Sequence, residues 1–310
     1  MIQHFRFGSP IRTDSVVQDI PVSSDAVPFL TADADGWVYT MAPDAIVYGL
    51  GEMPRGINKR GWHYVANNTD ESHHGENKVS YYGAHNFLLI DGGPGGDLFG
   101  VFVDFPGKVH YDIGYTVHDT LRFATEEPDY ELYILTGADL NDIAHQFRQL
   151  IGRSYIPPKW AFGLQQSRWG YKTAEDVREV ARQYKENDLP LDMICMDIDY
   201  MQDYADFTIN KERFPDLAAL AAELKAQGIR LVPIIDAGVR IDPEEPTCTE
   251  GLEKGYFCKK EDGTPFVAAV WPGKAYFADF LRPEVRAWFG HRYKVLTDCG
   301  IEGFWNFSHY

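Results

Sequence analysis

The stretch L-P-L-D-M-I-C-M-D-I-D-Y-M-Q-D-Y-A-D-F, from Leu189 to Phe207, decides the fold. Its segment Leu191 to Met196 is short and almost wholly apolar, broken only by Asp192, as a strand covered on both faces of a parallel sheet is. Asp197, Asp199, Asp203 and Asp206 crowd its end, interleaved with Tyr200, Met201 and Tyr204. That is the C-terminal mouth of the sheet, where barrels and open α/β folds bind ligands. A single Asp there is most simply a helix cap, a turn residue or a partner for a nearby Arg. Four acids beside aromatic rings point further, because bidentate carboxylates bind vicinal hydroxyls of a sugar while rings cover its C–H face. Asp197 is therefore read as functional, and Asp206 as holding the loop.

Working outward, strands and helices alternate. Phe162 to Ser167 reads as a strand, and Thr173 caps a helix with Asp176 at its third position and Val177, Val180, Ala181 and Tyr184 on its buried face. Asp216 starts the next helix, with Leu217, Leu220, Ala221 and Leu224 inward and Gly228 as its stop. Ile229 to Ile235 forms a third strand ending at Asp236, although Pro233 is an uncomfortable residue for a central strand. Val239 to Pro272 reads as an irregular insertion, either a loop over the mouth or a small hairpin. Pro283 opens a fourth helix carrying Val285, Trp288 and Phe289 on its apolar side, Gly300 follows its end, and Ile301 to Trp305 starts a fourth strand. Such alternation implies right-handed βαβ units and a parallel sheet.

Upstream the texture differs. Gly36 to Met41, Ala45 to Leu50, Phe87 to Ile90, Leu98 to Val103 and Tyr130 to Leu135 are short β-like runs separated by turn residues, the pattern of an antiparallel sandwich. Asp91 to Asp97 is Gly-rich but lacks a following Gly-Lys-Ser/Thr, and it sits between two strand-like runs; it reads as a hairpin turn. Asp139 caps a helix with Leu140, Ile143, Ala144, Phe147 and Ile151 on one face. Pro157 and Pro158 then forbid a continuing helix. These signals divide the chain into a sandwich domain over 1–153 and a second domain over 154–310.

The chain has 310 residues, 45% hydrophobic and 24% charged, an ordinary globular composition. Its formal net charge of -17 repels phosphate backbones and anionic lipid surfaces, which disfavours nucleic-acid and membrane-surface partners. The opening M-I-Q-H-F-R-F-G-S-P lacks the apolar core of a signal peptide, so a cytoplasmic protein is expected. Cys195, Cys248, Cys258 and Cys299 have no metal-ligand spacing and read as free thiols.

Taken together, Y-G-L-G-E (Tyr48 to Glu52), N-K-R-G (Asn58 to Gly61), N-N-T-D (Asn67 to Asp70), Y-Y-G-A-H (Tyr81 to His85), S-R-W-G-Y (Ser167 to Tyr171), M-D-I-D-Y-M (Met196 to Met201), D-F-T (Asp206 to Thr208), R-F-P-D (Arg213 to Asp216), V-W-P-G (Val270 to Gly273) and G-F-W-N (Gly303 to Asn306) stand in one order. In that order they resemble glycoside hydrolase family 31, the retaining α-glucosidase and α-xylosidase family. The resemblance implies an N-terminal β-sandwich followed by a (β/α)8 barrel, of which four βα units are present. It implies an oligosaccharide or small α-glucoside as substrate, and chemistry that requires no metal or organic cofactor. By motif, Asp70 and Asp197 should hold sugar hydroxyls, and Trp169, Ile198, Trp271 and Trp305 should wall the pocket. Asp236 is either a pocket residue or a turn cap. Trp160 and Trp288 are read as packing, and His85 as a hydrogen-bonded structural histidine.

The same resemblance exposes a departure. Retention needs two carboxyl groups roughly 5–5.5 Å apart, one attacking and one protonating the leaving oxygen. In the family the nucleophile is the Asp of a motif like W-N-D-M-N-E after the fourth strand; here Trp305-Asn306 is followed by Phe307-Ser308-His309-Tyr310. Phe307 stands at the nucleophile position, and the acid/base strand lies beyond the last residue. No catalytic carboxylate is therefore expected intact. Premature truncation is the expected cause, with an inactive, poorly soluble product whose first and fourth barrel strands are exposed edges.

Overall fold

The computed structural model describes residues 1–69 and 71–307, and the chain divides into two units, Met1 to Tyr155 and Ile156 onward. The first is built from ten strands: β1 (Ile2–Phe7), β2 (Leu30–Asp33), β3 (Gly36–Thr40), β4 (Ile46–Gly51), β5 (Trp62–Ala66), β6 (Ala84–Asp91), β7 (Leu98–Asp104), β8 (Val109–Ile113), β9 (Thr120–Thr125) and β10 (Tyr130–Thr136). They pair antiparallel into two five-stranded sheets, β1-β10-β7-β6-β4 and β2-β3-β9-β8-β5. Inward residues such as Val47, Leu88, Ile90, Phe99, Tyr111 and Phe123 form one buried core, which makes the pair a sandwich. The Gly-rich Asp91 to Asp97 segment joins β6 to β7 as a hairpin, with the Gly92 amide donating to the Asp97 carbonyl at 2.9 Å. Helix α1 (Leu140–Leu150) starts where the Asp139 carboxylate accepts from the Asp142 amide, and its Ile143 and Phe147 cover Phe87 and Phe102 on the outer face of the first sheet.

The second unit contains β11 (Gln165–Arg168), α2 (Ala174–Glu186), β12 (Met193–Met196), α3 (Leu217–Ala226), β13 (Arg230–Asp236), β14 (Gly238–Arg240), α4 (Pro246–Glu253), β15 (Val267–Val270), β16 (Gly273–Phe277), α5 (Pro283–Arg292), α6 (Lys294–Thr297) and β17 (Trp305–Phe307). Strands β11, β12, β13 and β17 run parallel in that order, the partial barrel expected of four βα units. Caps read from sequence act as expected. Thr173 and Asp176 form a capping box at the start of α2, and the Asp216 carboxylate accepts from the Ala219 amide at the start of α3. Ile194, Met196 and Leu231 face the helices and share a core with Val177, Leu220, Leu224, Val285 and Trp288. On the opposite face Met193, Cys195 and Val232 are buried beneath the half-buried Trp160 and Trp305.

Strand boundaries depart from the sequence reading for tertiary reasons. Phe162 belongs to a 3-10 turn and is 73% exposed; β11 starts only at Gln165, after the Asp192 carboxylate has accepted the Leu164 amide at 3.0 Å. The fourth strand is Trp305–Phe307 rather than Ile301 to Trp305, because Ile301 is buried below the sheet and Glu302 is tied to Lys225 and Arg230 at 2.6 and 3.0 Å. Pro233 is tolerated because β13 changes partners there: Met196 of β12 pairs with it, and β17 pairs only from Ile234 on. The insertion is more regular than expected. It holds α4 and β15 and, with its flanking residues, forms a three-stranded antiparallel sheet, β14-β16-β15, in which β15 and β16 form a hairpin. No helix among the described residues is long and apolar enough to cross a membrane.

A Cβ built on Gly163 would lie 2.1 Å from the Asp192 carboxyl group, so Gly163→Ala must displace the side chain that starts β11. A loss of roughly 1–2 kcal/mol is expected in urea unfolding, and most of it should vanish when Asp192→Gly, which also removes the Cβ 2.6 Å away, is already present. Equal penalties in both backgrounds would show that Asp192 does not mediate the effect.

Candidate active site

The parallel register sets the level of each strand end. Arg168 pairs with Met196 and Met196 with Pro233, so Trp169 and Asp197 leave their strands at one level. Strand β13 continues three residues further, about 10 Å at a rise of ~3.3 Å per residue, to Asp236. There its backbone partner is Phe307, while Trp305 pairs with Ile234. Asp197 and Ile198 lie just past β12, Asp236 and Trp305 on adjoining strands, and Trp169 in the turn after β11.

The loop after β12 is heavily tied down. The Asp197 carboxylate accepts from the Ile198 amide at 2.8 Å and starts a 3-10 turn that buries Ile198, Asp199 and Tyr200. Asp199 meets Arg213 at 3.4 Å, and the fully buried Tyr200 hydroxyl donates to the Ile234 carbonyl at 2.7 Å. Asp206, read as holding the loop, accepts the Asp236 amide at 3.0 Å on Oδ1. Burial pushes the Asp206 carboxyl well above the usual carboxylate range; the Asp236 and Glu245 charges add to this and the Asp236 amide opposes it. Burial also raises the Cys195 thiol, and all four cysteines are free. Asp203, Tyr204 and Phe207 have φ of 49°, 60° and 61°, the left-handed region that side chains avoid.

The tryptophans occupy different environments. Trp169 is 67% exposed beside Gly170, which has φ 111°. Trp271 sits at the tip of the β15–β16 hairpin and is half-buried against the helix-side core, and Trp305 packs over Met193, Cys195 and Val232. The hairpin comes close to Asp236: a Cβ on Gly238 would lie 2.6 Å from Val270, next to Trp271, and 3.4 Å from Asp236 Oδ2. Sequence reasoning missed this approach, for which Gly238 just after the strand was the available signal. It also assigned no partner to Asp199 and no role to Glu245. Trp288 is buried against Tyr256 and Phe257, as packing requires, and Trp160 against the inner face. His85, read as a hydrogen-bonded structural histidine, is exposed on β6, where its ring lies over Gly51. Asp70 lies outside the described residues. A cavity of about 880 Å³ in the first unit, lined by His4, Arg6, Asp104 and Glu131, includes none of these site residues. No group of three or more His, Cys, Asp or Glu among the described residues is placed to hold a metal ion.

The model of the glycosyl hydrolases family 31 TIM-barrel domain matches residues 154–307, and that of the glycosyl hydrolase 31 N-terminal galactose mutarotase-like domain matches residues 21–112. The chain belongs to glycoside hydrolase family 31. It is 41% identical over 261 residues to alpha-glucosidase 2 of Bacillus thermoamyloliquefaciens, an alignment covering 84% of this chain and 33% of that protein. It is 30% identical over 274 residues to alpha-xylosidase 1 of Arabidopsis thaliana, covering 86% of this chain and 29% of the relative. A family 31 dextranase of Flavobacterium johnsoniae, solved in complex with isomaltotriose, superimposes with a TM-score of 0.80 at 25% identity, over 91% of this chain and 34% of that one. The chain thus spans about a third of the length of the relatives it matches.

Exposure separates the two kinds of tryptophan experimentally. Trp169→Ala should change unfolding free energy by no more than about 0.5 kcal/mol. Trp288→Ala should cost roughly 3–5 kcal/mol. Comparable losses at both positions would mean that Trp169 is a packing residue.

Proposed function

We propose that this chain contributes the sugar-holding part of a retaining α-glycosidase acting on terminal non-reducing α-linked glucose. The observation that carries the reading is Asp197 and Ile198 just past β12 and Asp236 at the end of the adjoining β13, with Trp305 opening β17 beside it, in a chain with a family match in each of its units. In this reading Asp197 accepts hydrogen bonds from sugar hydroxyls. Trp169, Ile198, Trp271 and Trp305 supply the walls, and Asp236 the floor. The name of the Bacillus relative supports glucose, and the isomaltotriose complex of the dextranase supports a small oligosaccharide. Four free thiols support a reducing, cytoplasmic setting.

Holding a sugar is not cleaving it. Phe307 stands where the motif carries its nucleophile, and a phenyl ring has no lone pair with which to attack an anomeric carbon. The chain should accordingly release no p-nitrophenol from p-nitrophenyl α-glucoside above a protein-free control; turnover would overturn this part of the reading.

The second reading, an α-xylosidase, is favoured by the Arabidopsis relative. The two sugars differ by one hydroxymethyl group, which pocket walls such as Trp169 and Ile198 can discriminate by about 10–200-fold. A hybrid decides between them: residues 1–306 joined to the part of the Bacillus enzyme that follows its counterpart of Asn306. The hybrid should prefer p-nitrophenyl α-glucoside to the α-xyloside by at least about tenfold. Within it Asp197→Asn should lower kcat/KM about 10²-fold, the effect of losing charge-assisted hydrogen bonds. Preference for xyloside selects the second reading, and a folded hybrid with neither activity leaves a binding or partner-docking role for the fragment.

A further inference from the structure

We propose that Asp206 is a positioning residue: as a neutral carboxylic acid it fixes the end of β13, and with it the Asp236 carboxylate, against the loop that follows β12. Asp206 is 6% exposed, and its Oδ1 accepts the Asp236 amide at 3.0 Å. Among the described residues no Lys or Arg forms an ion pair with it. Among the described residues the titratable groups that face it are Asp236 from β13, Glu245 from the turn before α4, Tyr200 from its own loop and Tyr293 from the junction of α5 and α6. None of them is a cation. An ionised Asp206 would thus sit desolvated between two further carboxylates with a single amide donor, whereas the neutral acid keeps that hydrogen bond without the charge. The direction in which burial and the Asp236 and Glu245 charges move this carboxyl agrees.

The consequence for a substrate rests on the reading of Asp236 as part of the sugar site; the consequence for the fold does not. A carboxyl that binds its proton more tightly in the folded chain than in the unfolded one stabilises the fold fully at acidic pH. That stabilisation is lost as pH rises from the unfolded value of about 4 toward the folded one. Asn at the same position keeps the carbonyl acceptor and cannot ionise.

The test is thermal unfolding of the 310-residue chain and its Asp206→Asn and Asp206→Ala variants at about pH 5 and about pH 8.5. Wild type should fall relative to Asp206→Asn by roughly 3 °C or more between the two. Asp206→Ala, with the Asp236 amide unpaired, should be less stable than Asp206→Asn at both. A difference between wild type and Asp206→Asn that is independent of pH, or an Ala variant as stable as the Asn variant, overturns the proposal. Should neither variant fold, the ¹³C resonance of the Asp206 carboxyl in the wild-type chain decides: a protonated shift at neutral pH supports it, an ionised one sinks it. Glucose titration at about pH 6 separates the two layers. The expected pH effect without glucose binding removes the sugar reading of Asp236 and leaves Asp206 its role; binding with no pH effect does the reverse.

Discussion

A mismatch in strand length governs the second unit. Strand β12 has four residues and β13 has seven, so β13 outruns its neighbour at Met196. Beyond that point its backbone groups on the β12 side still need partners, since buried amides and carbonyls left unpaired cost too much to persist. Two side chains of the following loop take over from the missing strand: the Tyr200 hydroxyl meets the Ile234 carbonyl, and the Asp206 carboxyl meets the Asp236 amide. On the other side β17 pairs with the same three residues. The end of β13 is therefore held by a strand on one flank and by side chains on the other, and the level of Asp236 relative to Asp197 follows from that arrangement.

Such a loop must hold an awkward path. Three non-glycine residues in it, Asp203, Tyr204 and Phe207, adopt left-handed backbone conformations, which persist only where their surroundings over-determine them. The surroundings do so here. Phe207 is buried against the rings of Phe289 and Tyr293, 5.0 and 5.3 Å away. Thr208 accepts the Gln202 amide and donates to the Ala205 carbonyl, and Arg240 reaches the Asp203 carbonyl from β14. The insertion and helix α5, neither adjacent in sequence, thereby stiffen the acidic loop.

What could be read from sequence divides along the same line. Helix starts were legible because a cap is a local event: Asp139, Thr173 with Asp176, and Asp216 each satisfy amides within three residues of themselves. The reading of Asp206 as holding its loop agrees with its bond to the Asp236 amide. The first and fourth parallel strands were misplaced because their limits depend on remote partners: Asp192 for one, Lys225 and Arg230 for the other. The packing of Val270 against Gly238, which brings the Trp271 hairpin beside Asp236, depends on residues about thirty apart, and no local pattern announces it.

The neutral state of Asp206 also bears on what a complete site can do. A nucleophilic carboxylate must be ionised to attack, and nearby negative charge raises its pKa and works against that. The backbone position that the family motif gives to the nucleophile is occupied here by Phe307 and is paired with Asp236. With Asp206 ionised as well, three carboxylates, Asp206, Asp236 and Glu245, would stand together at the end of β13. A protonated Asp206 removes one of those charges while keeping the hydrogen bond that sets β13. The same side chain can thus impose geometry on the strand end without adding to the negative field in which an attacking carboxylate would have to stay charged.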